Sequence, residues 1–280
     1  MRSYTVVDAF AVNPLEGNPV AVFDDGSGLS AETMQRTALE LNLSETVFML
    51  PPEADAHARL RIFTPTAELP FAGHPVLGTA FVLGERSDAE LVRLETGVGV
   101  VPLELRREGD RVVYAQMDQP IPELEPFPHE QALLEALRVE RSELPIDAYR
   151  NGPVHVYVAL PDEQRVASLR PDFAALEDLG DEYGVSCFAG RQGRYETRMF
   201  APALGVREDP ATGSAAGPLA MHLARHGRIG FGEQVEIHQG AQIKRPSVLH
   251  AQVDGAEDRV QRITVGGSAV IVARGEYRLD

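Results

Sequence analysis

Short runs of β-branched and aromatic residues alternate along the chain with stretches whose apolar positions recur at helical spacing. This mixture indicates an α+β or α/β protein rather than an all-β one. A helix is predicted over Ser30–Leu41 with Ser30 as its N-cap, and a second is predicted to begin at His74 or Pro75. The predicted strands are 5–7, 20–23, 47–49, 58–63, 91–94, 98–105 and 111–116.

A proline-rich segment divides the chain into two halves of similar plan. Residues 119–128 contain four prolines and follow a predicted strand, which is typical of a linker. The second half repeats motifs of the first in the same order, and although each echo is weak alone, three occur in register. The echoes are Gly17-Asn18-Pro19-Val20-Ala21-Val22 with Asn151-Gly152-Pro153-Val154-His155-Val156, more loosely Ser44-Glu45-Thr46-Val47-Phe48 with Ser186-Cys187-Phe188, and Phe63-Thr64-Pro65 before Gly73-His74 with Phe200-Ala201-Pro202 before Gly213-Ser214. They predict two similar domains facing each other across a shared cleft, to which each contributes one glycine-led helix N-terminus.

The charge balance limits the classes of molecule that the protein is expected to bind. The 280 residues include 42 acidic and 26 basic side chains, which gives a formal charge of −16. Such a chain lacks the basic footprint that nucleic acid and anionic membrane surfaces require. We therefore expect a small-molecule substrate or a protein partner.

Two residue types occur once each and exclude several chemistries. Cys187 is the only cysteine, which rules out an internal disulfide, a Cys-rich zinc site and any mechanism that needs two thiols from one chain. Lys244 is the only lysine and lies in a predicted loop or strand end, which disfavours a Schiff base. With no signal-peptide core and no apolar run of bilayer length, we expect a cytoplasmic protein.

Two loops carry small residues, which allow their backbones to approach a ligand or a neighbouring segment closely. Residues 70–75 carry Gly73 just before a helix with proline in its first turn, and residues 208–217 carry Gly213 and Ser214 within a Thr-Gly-Ser-Ala run. A helix N-terminus binds anions without basic side chains, so the two loops together could hold a carboxylate or stabilise a forming enolate. The alternative is that both glycines serve only tight turns and helix packing.

Three titratable residues lie beside these loops. Glu45 stands at the start of an apolar strand, where desolvation would raise its pKa towards the range useful for a general base. The alternative is that the start of this strand is exposed and that Glu45 is solvated. His74 at a helix N-terminus should be neutral, and it either binds a ligand or caps its helix. Asp209 either caps the second helix or binds a substrate amine or hydroxyl.

Other apparent signals are poor. His222 and His226 have helical i, i+4 spacing but lack the glutamate of a zinc-protease helix, and His226-Gly227 is typical of a helix end, so we expect no metal. The spacing Gly-x-Ser-x-Gly of a nucleophile elbow is missing, as are a Gly-x-Gly-x-x-Gly after a strand and a phosphate loop with lysine. Serine hydrolysis and nucleotide cofactors are therefore unsupported.

Taken together, the motifs closely resemble those of the PhzF family over essentially the whole chain. The resemblance implies a diaminopimelate-epimerase-like α+β fold of two similar domains, each a curved, barrel-like sheet around a central helix, with the active site between them. The domains would span 1–118 plus about 265–280, and 127–264. The motifs that carry it are Asp8-Ala9-Phe10, Gly17-Asn18-Pro19, Asn42-Leu43-Ser44-Glu45-Thr46, Phe63-Thr64-Pro65, Leu69-Pro70-Phe71-Ala72-Gly73-His74-Pro75, Asn151-Gly152-Pro153, Cys187-Phe188-Ala189-Gly190 and residues 208–217.

The resemblance also implies an activity and a set of roles. It implies isomerisation of trans-2,3-dihydro-3-hydroxyanthranilate in phenazine biosynthesis, with Glu45 moving a proton from C3 to C1, no cofactor, and a homodimer. Relatives with this fold can use two cysteines as opposed acid and base, which this chain lacks. The residues implied to bind substrate are Ser44, Gly73, His74, Asp209, Gly213 and Ser214.

Two alternatives stay open at this point. The shared motifs specify a proton-transfer reaction more closely than they specify a ring as the substrate. The substrate could therefore be another small amino or hydroxy acid. A protein of a different class, a non-catalytic metabolite-binding or scaffold protein, would use Glu45 only to hold a ligand amine.

Overall fold

The computed structural model describes residues 1–180 and 183–279, which form two compact units. Unit 1 comprises Met1–Asp118 and the segment from Gly266 onward, and unit 2 comprises Gln119–Val265. No helix within these described ranges is long and apolar enough to cross a membrane.

Unit 1 is built from strands around one buried helix. Its elements from the first part of the chain are β1 (Arg2–Ala9), β2 (Asn18–Phe23), α1 (Ala31–Leu41), β3 (Glu45–Leu50), β4 (Ala58–Phe63), β5 (Glu68–Leu69), α2 (Gly73–Gly84), β6 (Leu91–Thr96), β7 (Gly99–Glu108) and β8 (Arg111–Gln119).

The strands of unit 1 pair in a mixed order. Antiparallel pairs join β1 with β2, β3 with β4, β6 with β7, and β7 with β8, whereas β2 with β3 and β4 with β6 are parallel. Helix α2 is apolar nearly all round and almost wholly buried, as expected of a helix enclosed by a sheet. Gly78 permits close packing, since a Cβ there would lie 2.7 Å from Cγ1 of Val20 in β2.

The two helices predicted in the first half are confirmed. Ser30 caps α1, and its Oγ accepts a hydrogen bond from the backbone N–H of Thr33 at 3.1 Å. Asn42 ends the same helix in the left-handed region, with φ of 51°. Helix α2 begins at Gly73, one residue before the earliest predicted start.

Unit 2 repeats this plan with additional short helices. The remaining elements are β9 (Glu123–Glu125), α3 (Glu130–Leu137), β10 (Ala148–Arg150), β11 (Val154–Ala159), α4 (Glu163–Ser168), α5 (Phe173–Glu177), β12 (Tyr183–Arg191), β13 (Arg194–Ala201), β14 (Val206–Asp209), α6 (Gly213–Arg225), β15 (Gln234–Gln239), β16 (Ser247–Ala256), β17 (Arg259–Gly267) and β18 (Ala269–Tyr277), with 3-10 turns at Pro202–Leu204 and Ala241–Ile243. Strand β18 belongs to unit 1, where it pairs antiparallel with β1.

The pairing order of unit 2 matches that of unit 1. Strands β11 and β12 are parallel like β2 and β3, β12 and β13 are antiparallel, and β13 and β15 are parallel like β4 and β6. Helix α6 follows β14 and is buried from Gly213 to Ala224, so it occupies the place that α2 has in unit 1. The predicted end of this helix at His226 is confirmed.

The predicted linker begins where the two units divide and carries a short strand, because β9 lies within it and pairs antiparallel with β10. One detail of the sequence interpretation is wrong, since the loose echo between β3 and β12 is out of register. Thr46 faces Phe63, and Val185 faces Phe200. Once Phe63 and Phe200 are equated, Glu45 therefore corresponds to Gly184.

Candidate active site

Glu45 stands at the first position of β3. The left-handed turn at Asn42 ends α1 and leads through half-buried Ser44 into the strand. Residue 45 then lies in register with Val20 of the parallel strand β2. Its side chain is only 12% exposed, so the carboxylate is held at the edge of the core instead of in open solvent.

His74 meets this carboxylate from the first turn of α2. Its Nε2 lies 3.1 Å from Oε2 of Glu45, and its Nδ1 lies 3.2 Å from Nδ2 of Asn18. The ring is 3% exposed, and burial lowers the pKa of His74 to about 3. The predicted neutral state is confirmed, with burial as its cause.

The contacts of His74 assign its tautomer. The amide N–H of Asn18 donates to Nδ1, which leaves the single ring proton on Nε2. That nitrogen lies 3.1 Å from Oε2 of Glu45, although the pair does not meet hydrogen-bond geometry, so a neutral ring packs against the acid without placing a compensating charge beside it. A carboxylate held in this way is free to accept a proton and to return it.

Asn18 is a functional residue that the sequence interpretation missed. It was quoted only as part of a repeated motif, yet it starts β2 and is completely buried. Gly17 before it has φ of 68°, and a Cβ there would lie 2.3 Å from the carbonyl oxygen of Ala9. The glycine is therefore required for the turn that delivers Asn18 to His74.

The second predicted group lies at the start of α6 in unit 2. Asp209 ends β14 at 5% exposure, and its Oδ2 accepts a hydrogen bond of 2.6 Å from the hydroxyl of Thr212, the N-cap residue. Gln239 donates from Nε2 to the Asp209 carbonyl oxygen at 2.7 Å and to Thr212 Oγ1 at 2.9 Å. Asp209 therefore orders the cap residue instead of capping the helix itself.

The first turn of α6 is held by buried amides. Gln119 donates from Nε2 to the carbonyl oxygen of Gly213 at 2.8 Å. Asn151 donates from Nδ2 to the carbonyl oxygen of Ser214 at 3.1 Å. These contacts fix the direction in which the backbone N–H groups of the helix start point, which an anion site requires.

The hydroxyl of Ser214 is tied to a buried histidine. Its Oγ lies 3.1 Å from Nε2 of His155, a ring that is 1% exposed and whose pKa burial lowers to about 3. Gly184 packs against the other ring nitrogen. His155 was quoted only within a motif echo, and nothing local in the sequence distinguishes it from any apolar strand residue.

The structure thus brings together Glu45 and His74 within unit 1, with Gly73 and Ser44 beside them in the chain. Within unit 2 it brings together Asp209, Gly213 and Ser214 around the start of one helix. Gln119 and Gln239, which hold this second group, were not identified from the sequence, because their positions depend on strand pairing.

Comparison with known proteins assigns the chain to a family. The family model described as "PhzC-PhzF: Phenazine biosynthesis-like protein" matches residues 7–275. A trans-2,3-dihydro-3-hydroxyanthranilate isomerase from Pseudomonas aeruginosa is 52% identical over 279 residues and covers both chains fully.

Solved structures agree on the fold. The structure of a predicted epimerase from Pseudomonas aeruginosa, 34% identical, matches with a TM-score of 0.84 over 99% of both chains. A probable proline racemase from Agrobacterium radiobacter, only 15% identical, matches with a TM-score of 0.72 over 100% of this chain and 94% of its own, which shows the epimerase-like fold alone. The expected fold class is thereby confirmed, and the chain is a member of the PhzC-PhzF family of phenazine biosynthesis-like proteins.

Proposed function

We propose that the protein isomerises trans-2,3-dihydro-3-hydroxyanthranilate to 6-amino-5-oxocyclohex-2-ene-1-carboxylate in phenazine biosynthesis. The observation that carries this proposal is the Glu45 carboxylate, 12% exposed and 3.1 Å from a neutral His74. The full-length similarity to a relative that bears this substrate's name supports the choice of ring. One acid–base group suffices for the reaction, which moves hydrogen without adding or removing electrons.

In the first step the Glu45 carboxylate takes the proton from C3 of the substrate. The C–H electron pair forms a C3–C4 double bond, and the electrons of the diene shift along the ring towards C1. The protonated Glu45 then gives a proton to C1. The enol left at C3 tautomerises to the ketone, so the product contains the same atoms as the substrate. The diene itself carries the electrons, so the proposed reaction needs no cofactor.

His74 acts in this scheme by orienting the acid. Its Nε2–H lies 3.1 Å from one carboxylate oxygen, close enough to donate to it after a small reorientation, and Asn18 fixes the ring by donating to Nδ1. Because a histidine whose pKa is about 3 stays neutral at physiological pH, it places no positive charge beside Glu45 that would weaken the base. Positioned proton transfer of this kind contributes about 10²–10⁴-fold to the rate.

We further propose that unit 2 supplies substrate binding. The start of α6 at Gly213 and Ser214 would receive the substrate carboxylate, since helix N-termini favour anions. Asp209 would bind the amine or hydroxyl, and Ser44 and Gly73 would contribute further contacts to the substrate. Such a site would tolerate the chain's charge of −16, because an amino acid substrate is zwitterionic.

A homodimer and a cytoplasmic location complete the proposal. Burial raises the pKa of the Cys187 thiol to about 12, so this cysteine is a packed core residue with no redox role. A single cysteine, which cannot form an internal disulfide, supports the proposal of a reducing compartment. Light scattering of the purified protein and cell fractionation test the two expectations.

The experiment follows the loss of the substrate's diene absorbance and the entry of deuterium from D₂O. We expect turnover by the intact chain, with deuterium entering C4 when the enol becomes the ketone and entering C1 in proportion to the exchange of the Glu45 proton with solvent, and loss of at least about 10³-fold in kcat for Glu45→Gln. The exposed Glu104→Gln in the same unit is the matched control and should keep full activity. Absence of turnover by the intact chain would point to another small acid as substrate, and a Glu45→Gln variant with normal kcat would refute the mechanism.

A further inference from the structure

A cluster of metal-ligating side chains lies at the C-terminal end of α6, at the opposite end of the helix from Gly213. It consists of Asp147, just before β10, and of His222 and His226 on the helix, and we name it the Asp147 cluster. Each of the three residues offers one ligand atom, and these atoms all lie within 4.8 Å of one another.

The distances suit a small divalent ion. Oδ2 of Asp147 lies 3.4 Å from Nδ1 of His222 and 2.8 Å from Nε2 of His226. Ligand bonds to zinc are about 2.0–2.2 Å, so two ligands at a tetrahedral angle stand about 3.3–3.5 Å apart. The first distance already has this value, and the second reaches it if one of the two partly exposed side chains moves by about half an ångström.

The sequence pattern and the fold both contribute to this geometry. Histidines at i and i+4 share one face of a helix, and the carboxylate reaches them from the residue that leads into a strand. The end of a helix also carries about half a negative charge, which favours a cation, although Arg225 beside the cluster opposes it. Asp147 and His226 are each 21% exposed, so an ion has a path from solvent and a position open to water.

We propose that the Asp147 cluster binds one zinc-like divalent transition-metal ion, with two imidazoles and one carboxylate as ligands and water completing the coordination. The ion would join α6 to the strand region before β10 and so brace the helix whose other end carries Ser214. Two imidazole ligands select zinc, cobalt or nickel over magnesium and calcium, which prefer oxygen. This inference is independent of the isomerase proposal and replaces the expectation of no metal.

The surroundings of the cluster set the expected affinity. The hydroxyl of Tyr149 lies 3.3 Å from both Oδ2 of Asp147 and Nδ1 of His222, so it can orient the carboxylate. Nε2 of His222 is buried and has no hydrogen-bond partner among the described residues. Ligating histidines usually donate this second N–H, and its loss weakens binding about 10–100-fold. We therefore expect a Kd on the order of micromolar instead of nanomolar.

The test titrates Co²⁺ and Zn²⁺ into chelator-treated full-length protein, with visible absorption for cobalt and calorimetry for zinc. We expect one equivalent to bind with the visible spectrum of nitrogen-ligated Co²⁺, and Mg²⁺ not to compete. His226→Ala and Asp147→Asn should each weaken binding by at least about tenfold.

His238→Ala provides the matched control. His238 is a partly buried histidine of unit 2 that contacts a carboxylate, Glu236, outside the cluster, so its removal should leave affinity unchanged. Circular dichroism at the working temperature shows whether each variant is folded. If one is not, it is replaced by His226→Gln, a conservative change of a partly exposed side chain. The proposal is overturned if the intact chain binds no stoichiometric ion, or if binding survives His226→Ala, or if His238→Ala weakens it equally.

Discussion

Acidification should destabilise the protein through His155, a buried histidine that contacts no carboxylate among the residues the structure describes. The pKa of this ring is about 3 in the folded chain, against 6.5 for the ordinary side chain, and the cause is burial. As pH falls, the unfolded chain therefore takes up the proton first. The stability contributed by the neutral ring is complete above pH 6.5 and is lost progressively as pH falls towards 3.

The loss of stability follows from the width of the pH range between the two pKa values. Each pH unit within it costs about 1.4 kcal/mol, so a fall from pH 7 to pH 5 removes about 2 kcal/mol through this one ring. His74 contributes with the same sign, because burial lowers its pKa to about 3 as well. Its neighbour Glu45 attracts the incoming proton, however, so His155 gives the simpler measurement.

The assay is urea unfolding followed by circular dichroism at pH 7 and pH 5. His155→Gln can keep a hydrogen bond to Ser214 but cannot titrate, so it should lose about 2 kcal/mol less than the intact chain between the two pH values. At pH 7 the variant should itself be about 1–2 kcal/mol less stable, since a packed ring is removed. His129→Gln, an exposed histidine of the same unit, should behave as the intact chain does. Equal pH dependence in the intact chain and His155→Gln would refute the reasoning.

Three further changes test the packing and the site. Gly78→Ala places a Cβ 2.7 Å from Cγ1 of Val20. Overpacking should outweigh the gain in helix propensity and lower the free energy of unfolding in urea by about 1 kcal/mol. A rise in stability would contradict this packing. Tyr157→Phe removes the 2.7 Å hydrogen bond to the carbonyl oxygen of Ala215 and should cost about 1 kcal/mol, again by urea unfolding, whereas no change would mean that the bond contributes nothing. His74→Gln should lower kcat at least about tenfold in the diene assay with little change in KM, and a purely raised KM would show that the ring binds substrate instead of orienting the acid.

Local signals in the sequence predicted local structure well. Helix α1 has a serine cap and a left-handed Asn42 at its two ends, so its bounds follow from side chains within a few residues of each other. The strand at Ala58–Phe63 was predicted with its observed bounds, because apolar residues alternate cleanly along it. Strand β9 was missed because its three residues lie among prolines and become a strand only by pairing with β10.

Only part of the candidate site could be predicted from the sequence. Glu45 and His74 were identified separately, but nothing in their spacing shows that the two side chains touch. That contact depends on the parallel pairing of β2 with β3 and on the packing of α2. Asn18 and Gln239 act through the same long-range pairing, so the residues that orient the acid and the helix start could not be found from local patterns.

The two repeats differ at one pair of positions that explains why only one of them carries the acid. In unit 1, Val20 of β2 lies in register with Glu45, and in unit 2, His155 of β11 lies in register with Gly184. A Cβ at position 184 would stand 3.1 Å from Nδ1 of His155, so any side chain there requires the histidine to shift. His155 itself lies 3.1 Å from the Ser214 hydroxyl, and a shift would disturb that contact. The register of β11 and β12 therefore disfavours a second acid in unit 2, which agrees with the proposal that Glu45 serves as both acid and base.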